Sequence, residues 1–192
     1  MKKLMLTAAA VFAFGFANAQ EGQGFSKGDL FVSGAFGIGS EKTGDNKSSG
    51  FEIEPKIGYF LTENIAIGGK LGYSTFKSEN GPIETADETA LTVGAFGRYY
   101  ATPASQFSLF GELGLDYSNV DDNLANQQEK QIGVNLGLGL NYFVSKNFSI
   151  EATWAGLGYT SNDNGGDGAD KTNTFGLGAD LRSINFGLNY KF

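Results

Sequence analysis

Eight charged side chains fall on the polar phase of alternating segments: Glu52, Glu54, Lys56, Lys70, Arg98, Glu112, Asp116 and Glu151. Gathered into one space they would form either a static network of ion pairs or a charged lining for passing ions. Buried charges are tolerable only when paired, so Lys56, Lys70 and Arg98 are expected against Glu52, Glu54, Glu112 and Glu151. The static network is the favoured reading. Other chemistry is scarce. The 192 residues include no His and no Cys, which removes imidazole acid/base catalysis, His-dependent nucleophiles, two-His zinc sites, thiolates and disulfides. No nucleophile and base can be paired, so no catalytic residue, cofactor or structural metal is expected.

One loop has a metal-like look. Gly165 to Asp170 reads GGDGAD, the start of a calcium nonapeptide, with Asp163, Asp167 and Asp170 as candidate ligands. That motif works by stacking several copies that share ligands, and here there is one, with Thr172 where an apolar residue belongs. A solvated loop is the expectation. The formal charge of −7 and pI near 4.6 lack the basic footprint that nucleic acid requires.

The elements that position the charges are strands. In QIGVNLGLGLNY, Ile132, Val134, Leu136, Leu138, Leu140 and Tyr142 alternate with Gln131, Gly133, Asn135, Gly137, Gly139 and Asn141. Such period-two alternation is a strand with two different faces. The pattern recurs to give eight strands, whose apolar faces include Leu30 to Ile38, Phe51 to Tyr59, Ile65 to Tyr73, Leu91 to Tyr99, Phe107 to Tyr117, Phe148 to Trp154 and Ile184 to Phe192. The phase slips between Leu181 and Ile184, which predicts a β-bulge between Asp180 and Ser183; the alternative is a strand that begins near Leu181. Short turns at 61–64, 102–106 and 144–147 alternate with long polar connections at 40–50, 77–88, 118–130 and 160–173.

Alternation alone leaves open whether the apolar face meets a soluble core or lipid. The charged, glycine-rich face suits the filled lumen of an eight-stranded barrel. Aromatics gather at both ends of the apolar face: Tyr59, Tyr99, Phe107, Tyr142, Phe148, Tyr190 and Phe192 at the short turns, Phe51, Tyr73, Tyr117 and Trp154 toward the loops. Those are the two girdles of a membrane barrel. Phe and Tyr are therefore expected toward lipid and glycine toward the lumen. The mean hydropathy of −0.19 is then the average of two opposite faces.

The first residues, MKKLMLTAAAVFAFGFANAQ, read as a secretory signal cleaved after Ala19, with residues 20–192 forming one barrel domain. Its loss leaves twelve basic against 21 acidic residues, a mature charge of −9. This leader, the GYFLTENIAIGG turn and the closing INFGLNYKF together resemble the outer-membrane β-barrel (porin-like, OmpA/OmpX-type) family in a Bacteroidota-like form. The resemblance implies an all-β, eight-stranded antiparallel up-and-down transmembrane β-barrel in the cell outer membrane of a Gram-negative bacterium. It further implies a surface or structural role, with a narrow pore or loop-mediated adhesion as alternatives. Phe186, Leu188, Tyr190 and Phe192 resemble the family's sorting signal for the outer-membrane assembly machinery. The expected partners are that machinery, outer-membrane lipid and lipopolysaccharide, and the expected state is a monomer. The peptidoglycan-binding domain of full-length OmpA-like proteins has no counterpart in this sequence.

Overall fold

The computed structural model describes residues 23–165, 168–179 and 185–192, the side chains of Trp154, Ala155, Ala179 and Asn185 excepted. The expected signal segment and Asp167 lie outside the described residues. So does the bulge expected between Asp180 and Ser183. The strands are β1 (Leu30–Thr43), β2 (Asn46–Phe60), β3 (Ile65–Asn80), β4 (Ile83–Tyr100), β5 (Phe107–Asp122), β6 (Gln127–Phe143), β7 (Phe148–Asn162), β8 (Thr172–Ala179) and β9 (Asn185–Lys191).

Strands β1 to β7 pair in sequence order, all antiparallel. β8 pairs with the loop-side half of β7 and β9 with its other half, so the two share one wall position and the barrel has eight. β9 closes the cylinder on β1, from Phe31↔Lys191 to Ala35↔Gly187. Closure is what a bilayer demands, because every N–H and C=O in hydrocarbon must find its partner within the protein.

The apolar phase points outward. On β3, Ile65, Ile67, Leu71 and Tyr73 are all exposed, as are Leu91, Val93 and Tyr99 on β4. A soluble protein does not display a continuous apolar face of this kind. Nine residues separate the ends of the Ile65–Tyr73 run, counting both. At roughly 3.4 Å per residue and a tilt of roughly 40°, nine residues give a band about 23 Å high, matching an outer-membrane barrel. Beyond it the outward residues turn polar: Thr75 and Lys77 on β3, Thr89 and Asp87 on β4.

Three details differ from the sequence reading. The long connections are largely strand: ladders run to Thr43↔Asn46, Asn80↔Ile83 and Asp122↔Gln127. Gly44 and Gly81, each at φ 61°, turn the first two of these hairpins in two residues. Polar residues on both faces hide such strands from a hydropathy pattern. The second difference is a described bulge in β7: Leu138 faces Ala155 while Gly139 faces Thr153, so Trp154 is the extra residue. The exposed phase switches there from Ile150 to Leu157 and Tyr159. The third concerns the girdle, where Phe107 is 4% exposed and so does not face lipid openly. Trp154's side chain is outside the described set.

Candidate functional site

Inward from the apolar band, the lumen is filled in two layers. Nearest the short turns lies an aromatic cluster of Phe25, Phe31, Phe60, Phe96, Tyr100, Phe110 and Phe143, all buried. The sequence reading had sent Phe and Tyr toward lipid; these seven point the other way. The space for them comes from glycine. A Cβ built on Gly58 would overlap the ring of Phe31, and one on Gly139 that of Phe110. Glycine does line the lumen, and it does so beneath lumenal rings.

Above the rings sits the charge layer. Lys70 contacts Asp116 at 2.9 Å and Glu54 at 3.3 Å; Lys56 contacts Glu54 at 3.1 Å and Glu112 at 3.0 Å. Arg98 donates from Nε to Glu112 and from Nη1 to Glu151, the second at 2.6 Å. The result is one chain of alternating sign, from Asp116 through Lys70, Glu54, Lys56, Glu112 and Arg98 to Glu151. It links β2, β3, β4, β5 and β7 across the lumen. Asn135 donates to Asp116 at 2.6 Å and Asn189 to Glu151 at 2.9 Å, supplying neutral partners at both ends. A Cβ on Gly94 would run into Asp116 and Lys70, so a side chain there is incompatible with that pair as it stands.

The two layers join at Arg98, which is 2% exposed. Its Cζ lies 4.4 Å from the Phe110 centroid and 5.2 Å from that of Phe96, within cation–π range. Its Nη1 also donates to the Tyr100 hydroxyl at 3.0 Å. Seven of the eight charges picked from sequence thus meet. The eighth, Glu52, is exposed near the loop end of the layer and has no ion pair or hydrogen bond among the described residues. It sits opposite Gly37, where Glu54 sits opposite Ala35, one step nearer the cations. Phe186, Leu188, Tyr190 and Phe192 all stand exposed on the outer side.

Outside the membrane the polar ladders carry their own ion pairs. Lys77 meets Asp87 at 2.6 Å, and Asn123 donates to the same carboxylate at 2.9 Å. The hydrogen bond from Lys77, with that from Asn123 second, holds Asp87 below its ordinary value of 3.8. A depressed carboxylate contributes stability above its unfolded pKa and loses it as the pH falls through the lower folded value. Carboxyl-carbon NMR should therefore show Asp87 titrating below 3.8, and Lys77→Ala should move the midpoint up. An unchanged midpoint in that variant would refute the assignment.

The calcium-like loop is arranged otherwise. Asp163 accepts from the backbone N–H of Lys130 at 2.8 Å and of Gly165 at 3.1 Å, which lowers its pKa and uses the carboxylate as a loop brace. Among the described residues no three acidic side chains are grouped to hold a metal ion.

The fold has counterparts among known proteins. The model of the outer membrane protein beta-barrel domain matches residues 6–192. Outer membrane porin F of Pseudomonas aeruginosa is 29% identical over 118 residues, covering 58% of this chain and 33% of that protein. The match thus spans about a third of that relative's length. Among solved structures, the outer membrane protein OprG of Pseudomonas aeruginosa aligns with a TM-score of 0.55 at 17% identity, over 88% of this chain and 98% of its own. Outer Membrane Protein W of E. coli aligns at 0.50 and 12%, over 87% and 99%. At these identities the two structures speak to the fold alone.

Proposed function

The chain belongs to the outer membrane protein β-barrel family, an integral protein of the Gram-negative outer membrane, and from that premise we propose that it is a closed surface scaffold. In this reading the barrel holds polar hairpins outside the cell while its lumen passes no solute. One observation carries the reading. The alternating chain from Asp116 to Glu151 crosses the lumen directly above a packed cluster of seven aromatic rings. An eight-stranded barrel has an interior just wide enough for side chains to fill, and here two stacked layers fill it.

Three cations set against four carboxylates neutralise most of the charge that burial would otherwise penalise. We assign the protein no catalysis, since those carboxylates are engaged by cations or amides and the sequence offers no His or Cys to partner them. Planar-bilayer recording of the refolded protein tests the reading. Wild type should give no discrete channel events. Reproducible conductance that changes in Arg98→Ala would instead establish a pore gated by the network.

A further inference from the structure

Above the charge layer the lumen widens into a cavity of about 480 Å³, a volume typical of small-molecule sites. Its wall includes Ser33, Ala35, Glu52, Glu54 and Thr153, and its floor is Lys56 and Arg98. Taking the lumen as closed below, the reading proposed above, this is a pocket with a closed floor that opens toward the loops. We infer that it binds a small, elongated organic cation, with the Glu52 carboxylate as the charged contact and the Ser33 hydroxyl as the polar contact at its inner end.

The floor cations are already committed, Lys56 to Glu54 and Glu112, Arg98 to Glu112 and Glu151. Glu52 is not: among the described residues it alone of the cavity's carboxylates has no partner. Ser33 is 4% exposed, lines the same cavity, and its Oγ has no hydrogen-bond partner. A buried hydroxyl left unpaired costs free energy, so a ligand group that meets it gains. Toward the loops, the charged residues on the lumenal phase among the described residues are carboxylates, with Glu88 directly opposite Asp122. Described lysines of the extracellular ladders, Lys42, Lys47, Lys77 and Lys130, fall on the outward phase. The approach to the pocket is therefore negative, which raises the local concentration of cations.

Geometry narrows the class. Glu52 faces Gly37, and Ser33 lies four positions further along β1, roughly 13 Å away at about 3.3 Å per residue. Lys56 is the register partner of Ser33, so a second positive charge at that end would be repelled. Ala35 lines the lumenal wall between Ser33 and Gly37, and Phe36, Ile38 and Phe186, exposed on the outer side, border the cavity at the seam where the β1–β9 ladder ends at Ala35↔Gly187; these apolar atoms suit a hydrocarbon body and not a bare metal ion. A primary ammonium joined by a short alkyl chain to a hydroxyl or amide satisfies all three constraints.

The test uses the full barrel in lipid nanodiscs, with 6-amino-1-hexanol as probe and 1,6-hexanediol and 6-hydroxyhexanoate as neutral and anionic counterparts, followed by NMR titration. The amino alcohol should bind tighter than either counterpart, and more weakly as salt rises. Glu52→Gln should weaken it about tenfold, the loss of one charge-assisted contact, and Ser33→Ala severalfold. Both variants should keep the wild-type heat-modifiable gel mobility, because neither residue holds the network together. Equal binding of amino alcohol and diol, or unchanged affinity in folded Glu52→Gln, would overturn the site. Bilayer recording keeps the two proposals apart: conductance with intact binding overturns the closed lumen and leaves the pocket, and silence without binding does the reverse.

Discussion

Arg98→Ala will destabilise the folded barrel by about 3–5 kcal/mol, the cost of leaving a buried ion pair with one member. The guanidinium is the shared partner of Glu112 and Glu151 and is itself nearly inaccessible. After truncation Glu112 keeps Lys56 at 3.0 Å, and Glu151 keeps only the neutral Asn189 amide at 2.9 Å. The larger part of the loss should therefore come from Glu151. Adding Glu151→Gln to Arg98→Ala should recover about 1–3 kcal/mol, because an amide in that place no longer demands a cation. Arg98→Lys should fall between, since a point charge cannot serve two carboxylates and the Tyr100 hydroxyl with a planar fork. Lys47→Ala is the control: its pair with Glu79, 3.7 Å long and half exposed, should be worth no more than about 1 kcal/mol. Urea unfolding in lipid vesicles measures all four. A loss in Arg98→Ala as small as that in Lys47→Ala would show that the lumen is wet and the network screened.

What the residue pattern made legible was the outer face. Runs such as Gln131 to Tyr142 cannot alternate for twelve residues without choosing a side, and the charges between the apolar positions of β2, β3 and β4 had to share the other. The lumenal rings escaped for a local reason. Tyr59-Phe60, Tyr99-Tyr100 and Tyr142-Phe143 are aromatic doublets at the short-turn ends of strands, and period two sends the members of a doublet to opposite faces. In each, the first stands exposed and the second is buried. Placing only the first member of each in the girdle left its buried neighbour without a lumenal role. Glu52 was misjudged differently: phase gives a residue's face but not its height, and two positions along β2 separate a paired carboxylate from a free one. The bulge at Trp154 falls where the sequence reading of that strand stops, and Leu157 and Tyr159, which carry the shifted phase, lie beyond it. The polar hairpins were missed because ladders outside a membrane need no hydrophobic phase.

Phe25→Ala should have an effect nearly as large as loss of Arg98, about 3 kcal/mol, at the low end of the range for buried Phe because solvent can enter a site at the barrel mouth. Phe25 precedes every strand, yet its ring is fully buried among those of Phe60, Phe143, Tyr100 and Phe31, with centroids 4.6, 4.9, 5.3 and 5.5 Å away. Its own N–H donates to the Pro103 carbonyl at 2.7 Å and that of Gly28 to Phe60 at 2.9 Å, while Lys191 on the closing strand donates to Gly24. Gly24 sits at φ 134°, against the backbone of Pro103 and Ala104. The segment therefore laces the β4–β5 turn to β2 and to the last strand, beside a β1–β9 ladder only five pairs long. Tyr100 is common to both layers, since it touches Phe25 and accepts from Arg98. Residues that share a partner do not act additively, so the double variant Phe25→Ala with Arg98→Ala should depart from the sum of the singles by at least about 0.5 kcal/mol. Strict additivity in a double-mutant cycle would mean that the ring cluster and the charge chain are stacked but mechanically independent. The predicted coupling would mean that the mouth of the barrel and its charged middle are held as one unit, through the Tyr100 hydroxyl and the rings of Phe96 and Phe110 that Arg98 faces.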